Sequence, residues 1–460
     1  MLWLPLNLLA RTQTYMARLQ NSLTVSFARL LFTICLAHGG MAQVTAPSGS
    51  NPLRLTLEEA LRRARENSVT YQAAITDASL AREDKKQAIG ALLPSVNYVN
   101  SAIYTEGNGI DDQFKFIANN AIREYISQGG VHETLDAAGF AEARRASALA
   151  AAARARQEIA ARGLVATVVQ SYFGVAAAQN KLETMRRAAD EGSRFLSLAQ
   201  NLERGGEVAH SDVIKAELQA NDRSRQFQEA TLAFLNAKLD LAVLVFPDFN
   251  ESFEVVDALH TTPALPALSD VEARASDANP EIRAALETAN AARQGLLAAR
   301  EGYLPSLGFD YFYGIDATHF ATKNGGISNL GSSIAATVNI PLWNWGSTQS
   351  KVKQAALQRD QAQRELSLAR RKLLAELRLL YAEAQTAANE LANLERSAHL
   401  GQESLRLTTL RYQNGESTVL EVVDAQNTAT ADEVASEDGA VRYKVALANL
   451  QTLTGVLTIR

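Results

Sequence analysis

The chain has 460 residues, 47% hydrophobic and only 7% aromatic, with a formal net charge of −5. Alanine is abundant, which suits long helices packed closely side by side and excludes a disordered chain. The weak acidity excludes nucleic acid as a partner.

Residues 1–42 carry Arg11, Arg18 and Arg29 and no acid, then an apolar stretch from Leu30 to Ala37 and the small residues Gly40 and Ala42. This is the pattern of a secretory signal cleaved after Ala42. Met16 is an alternative start that makes a more ordinary signal. Cleavage removes three arginines, taking the charge from −5 to −8, and also Cys35, the only cysteine. The mature chain therefore has neither disulfides nor thiol chemistry. Ile34 precedes that cysteine where a lipidation signal needs a small residue, so no lipid anchor is expected. Beyond the signal no run of 18 apolar residues occurs, and no transmembrane helix is expected. Barrel strands leave no such trace.

The first repeat spans 43–246. It opens on Thr56-Leu57-Glu58-Glu59, a capping-box pattern, and Asn67 is placed to cap a second helix. After Leu93-Pro94-Ser95 the apolar period shortens towards two, and strands are expected at about 92–105 and 122–135, joined by a polar loop. No proline occurs between Pro94 and Pro247, which favours a very long helix, a tip at about 204–212, and a return helix. Val168, Val175, Leu182, Ala189 and Leu196 recur every seven residues, as do Val213, Ala220, Phe227, Phe234 and Leu241. A seven-residue period means coiled-coil packing. From Gly139 to Glu203 the helix would run about 100 Å.

A linker at 247–268, with room for one short strand, separates this from a second repeat at 269–460. The second repeat begins with the capping pattern Ser269-Asp270-Val271-Glu272 and with Asn279-Pro280, then Leu304-Pro305-Ser306. Strands are expected at about 304–316 and 330–342. Leu307, Phe309, Tyr311, Tyr313 and Ile315 alternate cleanly, as do Ile334, Ala336, Val338 and Ile340. A second tip is expected at about 412–421. Shifting the chain by 209 places sets Gly206 on Gly415, Glu207 on Glu416, Asp212 on Glu421 and Val213 on Val422. Leu377, Ala384, Leu391, Ala398 and Leu405 repeat the first heptad set at the same offset. Such matching marks an internal duplication.

The predicted fold is mainly α with a small β part: a duplicated β-hairpin followed each time by a long coiled-coil helical hairpin. Four strands cannot close a barrel, and open edges in lipid leave backbone groups unpaired at several kcal/mol each. Strands that meet lipid must therefore be shared between chains.

The combination of "LTLEEAL", the doubled "LPS", "NIPLWNWG" and the doubled tip resembles the TolC-type outer-membrane efflux family over nearly the whole mature chain. The resemblance implies a homotrimer with twelve strands in one outer-membrane barrel above an α-helical tunnel that narrows at the periplasmic tip. It implies an exit duct of a tripartite efflux or type I secretion system, served by a periplasmic adaptor and an inner-membrane pump. It places a constriction ring at Glu421 and Asp424, which lie i,i+3 and so share a helix face. Crowded carboxylates there would bind cations and raise some pKa values. It associates Asp212, Tyr412 and Ser417 with the gate, Ser417 standing where the family has an arginine. It assigns adaptor docking to Gly206, Glu207 and Val208 on one tip and Gly415, Glu416 and Ser417 on the other. Trp343 and Trp345, at the strand-to-helix junction, suit either a membrane interface or plain packing.

Nothing points to an enzyme, cofactor or metal site. Histidines 38, 132, 210, 260, 319 and 399 show no ligand spacing, and no phosphate loop or nucleophile elbow occurs. His210, Ser211 and Asp212 are adjacent and cannot face one another as a triad. The rival is a periplasmic coiled-coil adaptor or scaffold without a pore, which should carry compact β-domains instead of strand pairs inserted before each long helix.

Overall fold

The computed structural model describes residues 53–105, 123–248, 252–256 and 263–457. The expected signal at 1–42, most of the first inter-strand loop, and His38 and His260 lie outside the described residues.

Two short helices, α1 (Leu57–Asn67) and α2 (Val69–Gly90), follow strand β1 (Leu53–Leu55). Thr56 caps α1 by accepting a bond from the Glu59 amide. Asn67 does not cap α2. Ser68 does, accepting from Tyr71 N–H, while the Asn67 side chain donates to the Val245 carbonyl at 2.7 Å. A long-range partner outcompetes the local one there.

Strands β2 (Ser95–Tyr104) and β3 (Arg123–Leu135) lead into α3 (Ala137–Arg204), which returns as α4 (His210–Val245). Strand β4 (Phe253–Val255) pairs parallel with β1. The Tyr172 hydroxyl hydrogen is shared between the carbonyls of Leu55 and Val256, tying this pair to α3.

Helices α5 (Leu268–Ala278) and α6 (Pro280–Glu301) precede strand β5 (Ser306–Ala317). Asn279 caps α6, with Pro280 in its first turn. Ser269 is not a cap: it lies inside the first turn of α5, which starts two residues earlier than expected, after Ala267, with no side-chain cap bond. After the small hairpin β6 (Lys323–Asn324) and β7 (Ile327–Ser328) come β8 (Leu330–Asn339), α7 (Ser347–Gln413) and α8 (Val419–Leu453).

The two strand pairs form one antiparallel sheet in the order β2-β3-β5-β8, joined where β3 pairs with β5 from Tyr125↔Ala317 to Leu135↔Leu307. Register sorts the side chains. Val96, Tyr98, Val131, Phe309, Tyr311, Ile334 and Val338 share one face. Asn97, Gln128, His132, Asp310, Ser333 and Thr337 share the other, where His132 Nδ1 bonds Asp310 at 2.6 Å. The two edges, β2 and β8, are exposed along almost their whole length.

Helix α3 has 68 residues and α4 only 36, so α4 covers only the lower part of α3. Higher up, α2 and α6 pack against α3, and α6 also reaches α7. Below, α3 packs on α8 as well as α4, which joins the two helical hairpins. By composition α3 is the described helix long and apolar enough to cross a membrane, yet it carries the core: Val165, Val168, Val169, Tyr172 and Val175 are buried there.

The heptad seam on α7 runs through buried Leu377, Ala384, Leu391 and Leu405. On α3 the seam holds at Val168 and Val175, then shifts to Met185, Ala188, Gly192, Phe195 and Ala199. Leu182, Ala189 and Leu196 flank it, half-buried. A helix with two partners buries a wider stripe, and its centre moves by one position. Each hairpin has one very close crossing: a Cβ on Gly192 would lie 3.4 Å from the Ala220 Cα, and one on Gly401 3.2 Å from the Ala429 Cα. Both members of the second crossing lie 209 places beyond those of the first.

Candidate functional site: the paired helical tips

The tips are built alike. Helix α3 ends at Arg204 and the chain reverses through Gly206 at φ 78°; α7 ends at Gln413 and reverses through Gly415 at φ 75°. Both angles are in the left-handed region, where glycine has no Cβ to clash. Glu207 N–H donates to the Leu202 carbonyl and Glu416 N–H to the Arg411 carbonyl, each at 2.9 Å.

The caps that follow differ. Ala209 gives α4 no side-chain cap, whereas Thr418 and Glu421 form a reciprocal capping box on α8. Glu421 also accepts from the Ser417 hydroxyl at 3.0 Å, and Arg411 stands 3.8 Å away. The Ser417 bond, then the Thr418 bonds and Arg411, hold the Glu421 carboxyl below its usual pKa. Crowding between carboxylates was expected to raise such values; within one chain the tip does the opposite, because three neighbours donate or carry positive charge.

Thr418→Ala should cost about 1 kcal/mol at this helix end. The Glu421 contribution has a sign that can be checked. A depressed folded pKa gives stability that is present above the ordinary carboxylate pKa of about 4.3 and lost as pH falls through the lowered value. Protection of the amides at residues 415–421, taken relative to the free-peptide rate at each pH, should therefore fall as the pH drops below the ordinary carboxylate range, and Glu421→Gln should flatten that response.

Glu421 and Asp424 are both exposed on one face of the first turns of α8. Tyr412 is not on that surface. It is buried, 3% exposed, in a cluster with Phe195, Ala199, Val213, Ala216, Val419 and Val422 that knits both hairpins together. Its ring centroid is 5.2 Å from that of Phe195. Its hydroxyl has no hydrogen-bond partner within the described chain, and its pKa is raised by burial and then by nearby Asp212. Asp212 is within 3.4 Å of Lys215. Val208 packs against the same cluster, half-buried, while Gly206, Glu207, Gly415 and Glu416 are exposed.

Arg411 was missed by sequence reasoning. It supplies a cation beside Glu421 where position 417 has none, and it donates to the Glu416 carbonyl at 3.0 Å. A basic residue in the last turn of a helix, five before the tip acid, was the available signal. No cluster of three metal-ligating side chains occurs among the described residues.

The fold has close counterparts. The Campylobacter jejuni CmeC outer membrane channel superposes with a TM-score of 0.77 over 87% of this chain and 85% of its own, at 18% identity. The outer membrane protein VceC of Vibrio cholerae gives 0.76 over 86% and 96%, at 19% identity. The chain has the fold of the TolC-type outer-membrane efflux proteins. In sequence, the family described as outer membrane efflux protein matches residues 273–456. The Vibrio cholerae outer membrane protein TolC is 26% identical over 271 residues, 57% of this chain and 61% of the relative. The cobalt-zinc-cadmium resistance protein CzcC of Cupriavidus metallidurans is 28% identical over 275 residues, 57% of this chain and 60% of the relative. The chain thus spans about three-fifths of the length of these curated relatives.

Proposed function

We propose that this protein is one protomer of a trimeric outer-membrane exit duct, passive in itself, that passes cargo from an inner-membrane pump and a periplasmic adaptor to the outside. One observation carries the reading: a four-stranded sheet, apolar on one face and polar on the other, ends in two exposed edges of ten residues each. Such edges are intolerable in lipid unless they pair. Three copies joined edge to edge give a closed wall with a polar lumen. A pore-free coiled-coil adaptor accounts less well for strands from both repeats merging into one amphipathic sheet.

Below the barrel, the helical hairpins form the tunnel wall. Glu421 and Asp424 form the narrow ring, six carboxylates about the axis. Asp212, Tyr412 and Ser417 belong to the gate. The tips, Gly206-Glu207-Val208 and Gly415-Glu416-Ser417, receive the adaptor. The mature protein should sediment with outer membranes, run as a trimer and give discrete conductance steps in a planar bilayer; a monomer without conductance would sink the proposal. Replacing Glu421 and Asp424 together by alanine should raise the conductance and abolish block by divalent cations. Unchanged single-channel behaviour would remove the ring assignment while leaving the duct.

A further inference from the structure

The two repeats close differently where their stacked helices meet. In the first, the end of α4 meets the junction of α1 and α2. There the Asn67 side chain donates to the Val245 carbonyl at 2.7 Å, and Val245 and Phe246 are buried in the main core. In the second, the end of α8 meets the junction of α5 and α6. There a cleft of about 300 Å³ is left, walled also by α3 and α7. Ile159, Pro280, Leu380 and Leu453 give it apolar sides. That volume is at the lower end of the range for small-molecule sites.

One wall of the cleft is bare. Gly163 lines it from the middle of α3, where a glycine weakens a helix relative to alanine. It has no left-handed φ that would require glycine, and a Cβ built there would meet nothing within 4 Å. Neither backbone geometry nor packing within the chain accounts for it. Its effect is to keep the cleft open towards α3.

The polar groups of the cleft favour a cation. Glu281 on α6 and Glu376 on α7 both line it, and partial burial and then Glu281 push the Glu376 carboxyl above its ordinary value. Lys372, one turn back on α7, is exposed and makes no ion pair with either acid among the described residues. Arg162 is engaged elsewhere. Its Nη1 donates to the Leu453 carbonyl at 2.8 Å and its Nη2 to Glu158 at 2.9 Å, where Arg283 bonds as well. Asn279 is taken up by the Ile282 N–H. The start of α6 and the end of α8 bring opposite poles of their helix dipoles, which offset each other. Two acids and the half-buried Asn449 therefore line a space with apolar sides. A protonated amine satisfies the acids through charge-assisted hydrogen bonds, and an apolar body fills the rest.

We propose that this cleft binds a small organic cation, a protonated amine on an apolar body, with the ammonium between Glu281 and Glu376. The bound amine bridges α6 and α7 beside the end of α8 and braces the second hairpin there. All four walls belong to one chain, so the site goes beyond the exit-duct reading and does not depend on it.

The probe is 4-phenylbutylamine, compared with 4-phenylbutanol and 4-phenylbutyrate, on the purified mature protein in a nonionic detergent. The amine should bind about tenfold more tightly than the alcohol, and the carboxylate least tightly. Glu281→Gln with Glu376→Gln should remove the preference for amine over alcohol and leave the fold intact. Gly163→Leu should abolish binding of both, since its side chain fills the cleft. A gentler variant, Gly163→Cys, covers the case in which leucine disturbs the fold. The mature chain has no cysteine, Cys35 lying in the expected signal, so a single thiol then reports on the cleft through its rate of maleimide alkylation. The amine should slow that reaction more than the alcohol does at the same concentration. Equal binding of amine and alcohol, binding that survives Gly163→Leu, or a thiol that the amine does not protect overturns the proposal. So does an absence of binding at about 1 mM amine. A protein that gives conductance steps yet fails these tests loses the cleft and keeps the duct.

Discussion

Ile334→Arg is expected to block stable insertion into the outer membrane, whereas Ser333→Arg, one residue away, is expected to insert and form trimers. The two positions lie on opposite faces of β8 by register: Ile334 is opposite Tyr311 and Ser333 opposite Phe312. Ile334 is 79% exposed within the single chain, on the face with Val338 and Tyr311. An arginine facing lipid near mid-membrane costs about 2–4 kcal/mol per copy. In the proposed trimer that cost would recur in each of three copies, on one of the two edge strands that would pair with a neighbour. On the polar face an arginine would remain hydrated by the proposed lumen, so Ser333→Arg should change ion selectivity and not assembly. Heat-stable trimer on a gel, measured for both variants in membranes, decides the matter. Equal assembly of the two would mean that the apolar face does not meet lipid.

Tyr412→Ala is expected to destabilise the tip by about 3–5 kcal/mol, while Tyr412→Phe is expected to leave stability unchanged or slightly raised. The ring is nearly fully buried between Phe195 and the start of α8, so its removal leaves a cavity where the two hairpins meet. The hydroxyl has no partner there. Burying an unsatisfied polar atom costs stability, so exchanging it for hydrogen recovers that cost. Unfolding in denaturant, together with amide exchange of residues 195–216 and 412–422, separates ring from hydroxyl. If Tyr412→Phe instead loosens the tip as much as Tyr412→Ala, the hydroxyl makes a bond in the assembled tunnel that a single chain does not contain. The gate role of Tyr412 would then be supported over a packing role.

Much of this was legible from residue order. The 209-residue repeat, the long proline-free spans and the glycine tips depend on local rules, which hold wherever the segment ends up. The cap at Asn279 and the seam from Leu377 to Leu405 read directly for the same reason. Local reading failed where a distant partner intervened. Asn67 gave up its cap to Val245, and the lower seam of α3 moved one position because α8 lies beside it as well as α4. At Glu421 the overlooked partners are near ones: Ser417, Thr418 and Arg411 all engage its carboxylate within the same tip.

The sequence by itself determined the mainly helical class, the duplication and the positions of the reversals, because periodicity, proline and glycine act over a few residues at a time. Only the tertiary structure decided that strands more than 170 residues apart share one sheet through β3 and β5, that Tyr412 is core and not surface, and that Trp343 and Trp345 stand outside. Those facts depend on which surfaces meet, and no local pattern encodes a meeting between segments so far apart in the chain.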